Sequence, residues 1–155
     1  MIIKELKTKW RSEGVTTTPS LDKHIIKLFQ DENGVVLPND FIEYILELNG
    51  TGGEPTNELF EFYSIERIKQ IQVEFSEWKG IPSYKNLSEK VSEVDQLYVF
   101  ANYQFNLYAY AIRLHSHYVG KNEVYVFCGN EYKIIADNFS DFLEKYVEDS
   151  EDIRI

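Results

Sequence analysis

Three stretches constrain this chain more than anything else in it: LYVFA (97–101), LYAYAIRLH (107–115) and EVYVFCG (123–129). Each is rich in β-branched and aromatic residues and reads as a strand. Successive side chains of a strand point to opposite faces, and here both faces carry apolar or aromatic groups. A sheet of such strands is central, covered on one face and partly on the other. The turns between them fall at NYQFN and YVGKN, and YKIIAD adds a last short strand.

The rest of the chain supplies the covers. Ile3, Leu6 and Trp10 recur at helical spacing and predict a short amphipathic helix over 2–11. After SEGVTTTPS, Thr18 is expected to cap a second helix with Pro19 in its first turn. Leu21, Ile25, Leu28 and Phe29 form its apolar stripe, and Asn33-Gly34 its left-handed exit. LPNDFIEYILELNGTGG (37–53) is a third helix. Pro38 opens it, Phe41, Tyr44, Ile45 and Leu48 face inward, and Gly50 stands at the exit position. LFEFYS (59–64) alternates as a strand, and Ser64 is expected to cap a helix lined by Ile65, Ile68, Ile71, Phe75 and Trp78. Residues 79–95 read as a long polar loop or a ragged short helix. Asn138 caps the final helix, whose stripe is Phe139, Phe142, Leu143, Tyr146 and Val147. The expected fold is one α+β domain over 1–148. Its central sheet is mostly antiparallel or mixed, with N-terminal helices and a C-terminal helix packed on it. Residues 149–155 are expected to be a frayed acidic tail.

The formal net charge is −10, from 26 acids against 16 bases. That balance repels a phosphate backbone and disfavours nucleic-acid binding. It favours a basic partner, or simply solubility. The single cysteine, Cys128, excludes an intrachain disulfide and suits the cytoplasm. The N-terminal residues lack the continuous apolar segment of a secretory signal, and no run approaches the ~18 apolar residues of a membrane span. No GxSxG, GxxxxGK[ST] or GxGxxG motif occurs. The glycines 50, 52 and 53 follow a helix C-terminus, whose carbonyl end repels phosphate, so they make no nucleotide cradle. His115 and His117 are too few for a metal, His24 has no local partner, and Cys128 has no nucleophile signature, so no cofactor is expected. Carboxylate pairs such as Glu58 with Glu61, or Glu148 with Asp149, are common in an acidic chain. Tyr98, Tyr103, Tyr108, Tyr110, Tyr118, Tyr125 and Tyr132 form either a recognition face or ordinary sheet packing.

Taken in order, LPNDFIEYILELNGTGG, LFEFYSIERIKQI, YVFANYQFNLYAYAIRL, VYVF and IIADNFSDFLEKYV resemble the SUKH superfamily. That group includes fungal cell-wall assembly regulators and many bacterial immunity proteins. The resemblance spans about residues 20–148, and in it Leu37, Pro38, Asn49 and Gly50 have architectural roles. Where relatives often have an acid after the strand's Phe-Ala, this chain has Asn102, a residue suited to holding a turn. The resemblance implies a noncatalytic, cytoplasmic binding protein that neutralises a cognate toxin, often a nuclease and here expected to be basic. Glu54, Glu58 and Glu61, with Tyr103, Tyr108 and Tyr110, are the expected contact residues. The alternatives are a regulatory scaffold for signalling or wall-synthesis proteins and, third, an enzyme with an unrecognised site.

Overall fold

The computed structural model describes residues 2–78 and 87–155. Its first helix, α1 (Ile2–Ser12), buries Ile3, Leu6 and Trp10 as their spacing predicts. Helix α2 (His24–Asn33) differs from the expectation. Thr18 does not cap it, because the Thr18 N–H donates to Leu48 O and its hydroxyl to Asn49 O. Those bonds hold residue 18 against the end of the next helix, and α2 starts only at His24, whose N–H donates to Asp22 Oδ1. The buried residues are Ile26 and Phe29, while Leu21 is left 92% exposed. Gly34 exits in the left-handed conformation, as predicted.

Helix α3 (Asn39–Glu47) buries Phe41, Tyr44 and Ile45. Its exit is built by Asn49 and Gly50 together, since positive φ begins at Asn49 (+54°) and continues at Gly50 (+90°). Asn49 Oδ1 accepts the Ile65 N–H at 2.8 Å. The Thr51 N–H donates to Phe62 O, and its hydroxyl oxygen accepts the Phe62 N–H. This turn therefore bonds α3 to strand β1 (Phe60–Phe62).

The single helix expected after Ser64 is instead three pieces. A turn closes with Arg67 N–H to Ser64 O, then β2 (Lys69–Gln70) pairs with Val99 and Tyr98. Only then does α4 (Ile71–Ser76) begin, capped by the Gln70 side chain on Gln72 and Val73 N–H. Ile65, Ile68 and Ile71 are buried in either arrangement, but the edge of a central strand demands backbone partners that a helix cannot offer. Part of the predicted 79–95 loop, residues 79–86, lies outside the described residues. Beyond it come α5 (Leu87–Lys90) and a 3-10 turn at Val94–Gln96.

Strands β3 (Leu97–Tyr103), β4 (Tyr108–Arg113), β5 (Val124–Cys128) and β6 (Glu131–Ala136) complete an antiparallel sheet in the order β1-β3-β4-β5-β6, with β2 beside β1 on the edge of β3. A bulge between Val99 and Ala101 shifts the β3–β4 register. One face carries Phe60, Phe62, Phe100 and Tyr110, which pack against Trp10, Phe41 and helix α6 (Phe139–Val147). Asn138 caps α6 through the Asp141 N–H, as predicted, and Asp40 of α3 accepts from Ser140 N–H and Oγ. The other face carries Tyr125 and Phe127, the latter 6.3 Å from Phe75 of α4. There the buried Arg113 donates to Glu93 O, Ser92 O, Gln96 Oε1 and Tyr125 Oη, pinning the turn before β3 to the sheet. The fold is α+β in one domain.

Candidate partner-binding surface

Strand β3 leaves the core at Tyr103 and returns at Tyr108 through Gln104, Phe105 and Asn106. All three have positive φ, +50°, +52° and +73°. A left-handed non-glycine residue costs roughly 1–2 kcal/mol, least for Asn. The conformation is held by the Leu107 N–H on Tyr103 O and the Gln104 N–H on Leu59 O, at 3.0 and 2.9 Å. Leu59 is itself left-handed, at +69°. The result presents Phe105 to solvent at 77% exposure, with the exposed Leu107 beside it. Strain concentrated under a large exposed ring is a mark of recognition loops.

The hairpin's base is closely packed. The Tyr103 ring lies 4.5 Å from Phe60 and 5.6 Å from Tyr108, with the Arg154 guanidinium 5.5 Å from its centroid. Tyr108 Oη donates to Ile155 O at 3.0 Å and Tyr110 Oη to Ile153 O at 2.9 Å. Residues 151–155 are therefore docked, not frayed. Ser150 caps a 3-10 turn at Glu151–Ile153, and Ile153 is buried. A tail with two hydroxyl donors for its carbonyls and an isoleucine in the core has reason to stay. Tyr110 was expected at the surface and is instead fully buried, its ionisation pushed far above the usual range by that burial. It cannot be a first contact for a partner.

The acids divide. Glu58 sits next to Leu59 at the hairpin base and pairs with Lys9 Nζ at 2.7 Å. Burial alone would lower the Lys9 ammonium, but hydrogen bonds and charge from Glu58 and Glu13 outweigh it and raise the pKa. Glu54 is exposed on the 51–58 loop, with a backbone bond to Thr51 O. Strand alternation sends Glu61 to the opposite face from Phe60 and Phe62, where its Oε1 accepts from Asn102 Nδ2 at 3.4 Å. The structure thus gathers Tyr103, Tyr108 and Glu58 around the hairpin and leaves Glu61 and Tyr110 out of it. Phe105, the most exposed member, was missed because NYQFN read only as a turn. An aromatic ring among turn-forming residues was the available signal.

A buried polar network was also illegible. Glu74 is fully buried and accepts from Arg67 Nη1 and Nη2 at 2.5 and 2.9 Å, from Trp78 Nε1 at 2.9 Å and from Tyr63 Oη at 3.5 Å. Tyr63 Oη in turn accepts from Asn102 Nδ2 at 2.9 Å, and the Arg67 guanidinium stacks 4.3 Å from the Tyr63 centroid. Burial, first of all, raises the Tyr63 phenol. Asn102 therefore joins β1 and β3 to this network and does not hold a turn. With both oxygens of Glu74 engaged by the protein itself, the arrangement fastens α4 to the sheet.

Acidic side chains also gather elsewhere, where Asp141 and Glu144 of α6 and Glu148 just past its end join Asp137 along a groove beside the exposed Ile134. Lys145 on its wall is occupied by Ile135 O. The rings of His115 and His117 are 6.4 Å apart, and among the described residues no group of three or more His, Cys, Asp or Glu is placed to hold a metal. Burial and the nearby Glu131 raise the Cys128 thiol, keeping it protonated. No described helix is long and apolar enough to cross a membrane.

A comparison with curated proteins returns no match. A comparison with protein families matches the SMI1 / KNR4 family (SUKH-1) over residues 21–145. The matched span runs from just before α2 to the last turn of α6, so it takes in the Asn49-Gly50 turn, the whole sheet and the hairpin. The chain belongs to the SMI1 / KNR4 family (SUKH-1).

Proposed function

We propose that this protein is a noncatalytic immunity protein of the cytoplasm that binds and neutralises a cognate, basic bacterial toxin, in the manner expected of a SUKH-like domain. The observation that carries the reading is Phe105: a ring 77% exposed on a hairpin whose backbone is held left-handed over a packed aromatic base. Such a ring is pre-organised to enter a pocket, and a preset loop loses little entropy on binding. Glu58 at the hairpin base and Glu54 on the exposed 51–58 loop, within a net charge of −10, steer a cationic partner and set the rate of encounter.

Co-expression with the product of a neighbouring toxin-like open reading frame tests the proposal. Wild type should restore growth and co-purify with that product, and Phe105→Ala should do neither while remaining folded. Failure of the wild type to rescue or to co-purify contradicts the immunity reading. Reversing charge at Glu54 and Glu58 should slow association and flatten its salt dependence. An unchanged association rate would remove the steering argument.

A further inference from the structure

We infer that the groove between α2 and residues 65–73 is a second docking surface, one that takes a basic, amphipathic segment of a partner protein. It stands apart from the hairpin, because β2 pairs with the start of β3 and β1 with its end. The inference does not rest on the toxin reading.

The groove holds about 350 Å³ and is floored by Ile25, Phe29, Ile65 and Ile68. Its lips are Leu28 and Val73, 46% and 52% exposed, on two different elements that face one another. That volume is at the low end of ligand pockets and suits a few anchoring side chains. A helix on one wall and an open cleft beside it match the groove that receives an amphipathic segment.

The rim says which segment. Lys27 is paired with Asp31 at 2.7 Å, Lys69 with Glu77 at 3.1 Å, and Arg67 with the buried Glu74. Glu32 and Glu66, both exposed, line the groove and make no ion pair among the described residues. The cations near the groove are thus neutralised and two carboxylates are left over. An apolar ridge flanked by Lys or Arg satisfies both the floor and the rim. A second copy of this chain, with its own charge of −10 and the same rim, is repelled.

The test titrates the isotopically labelled full chain with a short helix-forming peptide carrying leucines on one face and lysines on the other. Amide shifts should move saturably in α2 and residues 65–73. Leu28→Ser with Val73→Ser, both on exposed positions, should weaken binding by about tenfold or more. Glu32→Lys with Glu66→Lys should do the same. Phe105→Ala should bind the peptide normally, so that loss of toxin neutralisation and loss of groove binding are read separately. The inference is overturned if glutamates in place of the peptide's lysines bind equally well, or if the shifts fall on Asp141, Glu144 and Glu148 instead. It is also overturned if the four substitutions change nothing, or if the free protein is a dimer that buries Leu28 and Val73.

Discussion

At Gly50 the exit of α3 lies directly on β1, so a Cβ there would stand 2.8 Å from Phe62 O and Ser64 N. With φ at +90° as well, Gly50→Ala is predicted to cost roughly 2–3 kcal/mol, read as a lowered midpoint in urea unfolding. A loss below about 0.5 kcal/mol, within the range of ordinary surface substitutions, would mean the turn has room it does not show. Asn49→Ala should cost about 1–3 kcal/mol, because it orphans the buried Ile65 N–H. The Leu37-Pro38 entrance and the Asn49-Gly50 exit were legible in the sequence, since both are local signals. That the Asn49 side chain reaches a backbone group 16 residues further on was not, because nothing local marks a long-range bond.

Among the elements, the hairpin and α4 carry opposite kinds of constraint. Gln104→Gly relieves one left-handed residue and should raise stability by about 0.5–1 kcal/mol, while loosening the loop and weakening any partner held by Phe105. Thermal unfolding of this variant checks it, and a lower melting temperature would show that the strain is absent. Glu74→Ala removes the acceptor shared by Arg67, Trp78 and Tyr63 and should destabilise by about 3 kcal/mol. Hydrogen exchange should then show α4 opening before the sheet, and unchanged protection there would contradict its role as a fastener. The isoleucine spacing 65, 68, 71 was compatible with a helix, and pattern alone could not reveal that β3 needed Lys69 and Gln70 as edge partners. Likewise Leu21 and Leu28 fitted a stripe on α2, but the bonds from Thr18 to the α3 exit delay the helix and turn both leucines outward. For α1, α3 and α6 the apolar period met no competitor, and the buried sets are those predicted except for Val147, which is only partly buried.

Taken whole, the molecule is an aromatic core under an acidic surface, and the core has a pH signature of its own. Burial raises the phenols of Tyr44, Tyr63 and Tyr110 strongly and pushes Tyr146 up to about 12. In the unfolded chain tyrosines lose their protons near pH 10. Above that pH the unfolded state binds fewer protons than the folded one, so stability falls as pH rises, from about 10 through at least 12. Urea unfolding at pH 9, 10 and 11 should show the decline beginning at the second step. A flat profile would mean these hydroxyls are wet. The α+β architecture was readable because strands apolar on both faces require layers on both sides, and the family resemblance pointed the same way. The binding surface was only partly readable. Tyr103, Tyr108 and Glu58 meet at the hairpin, yet burial of Tyr110, the turn of Glu61 to the other face and the exposure of Phe105 all depend on register.

The dissociation constant of the complex with the partner recovered by co-expression, measured for wild type and Phe105→Ala, tests the central claim most directly. Burying a phenyl ring at the centre of an interface predicts a loss of about 2 kcal/mol or more, at least roughly thirtyfold, with the variant's unfolding midpoint unchanged. Equal affinity for the two proteins would show that the exposed hairpin is not where this chain holds its partner.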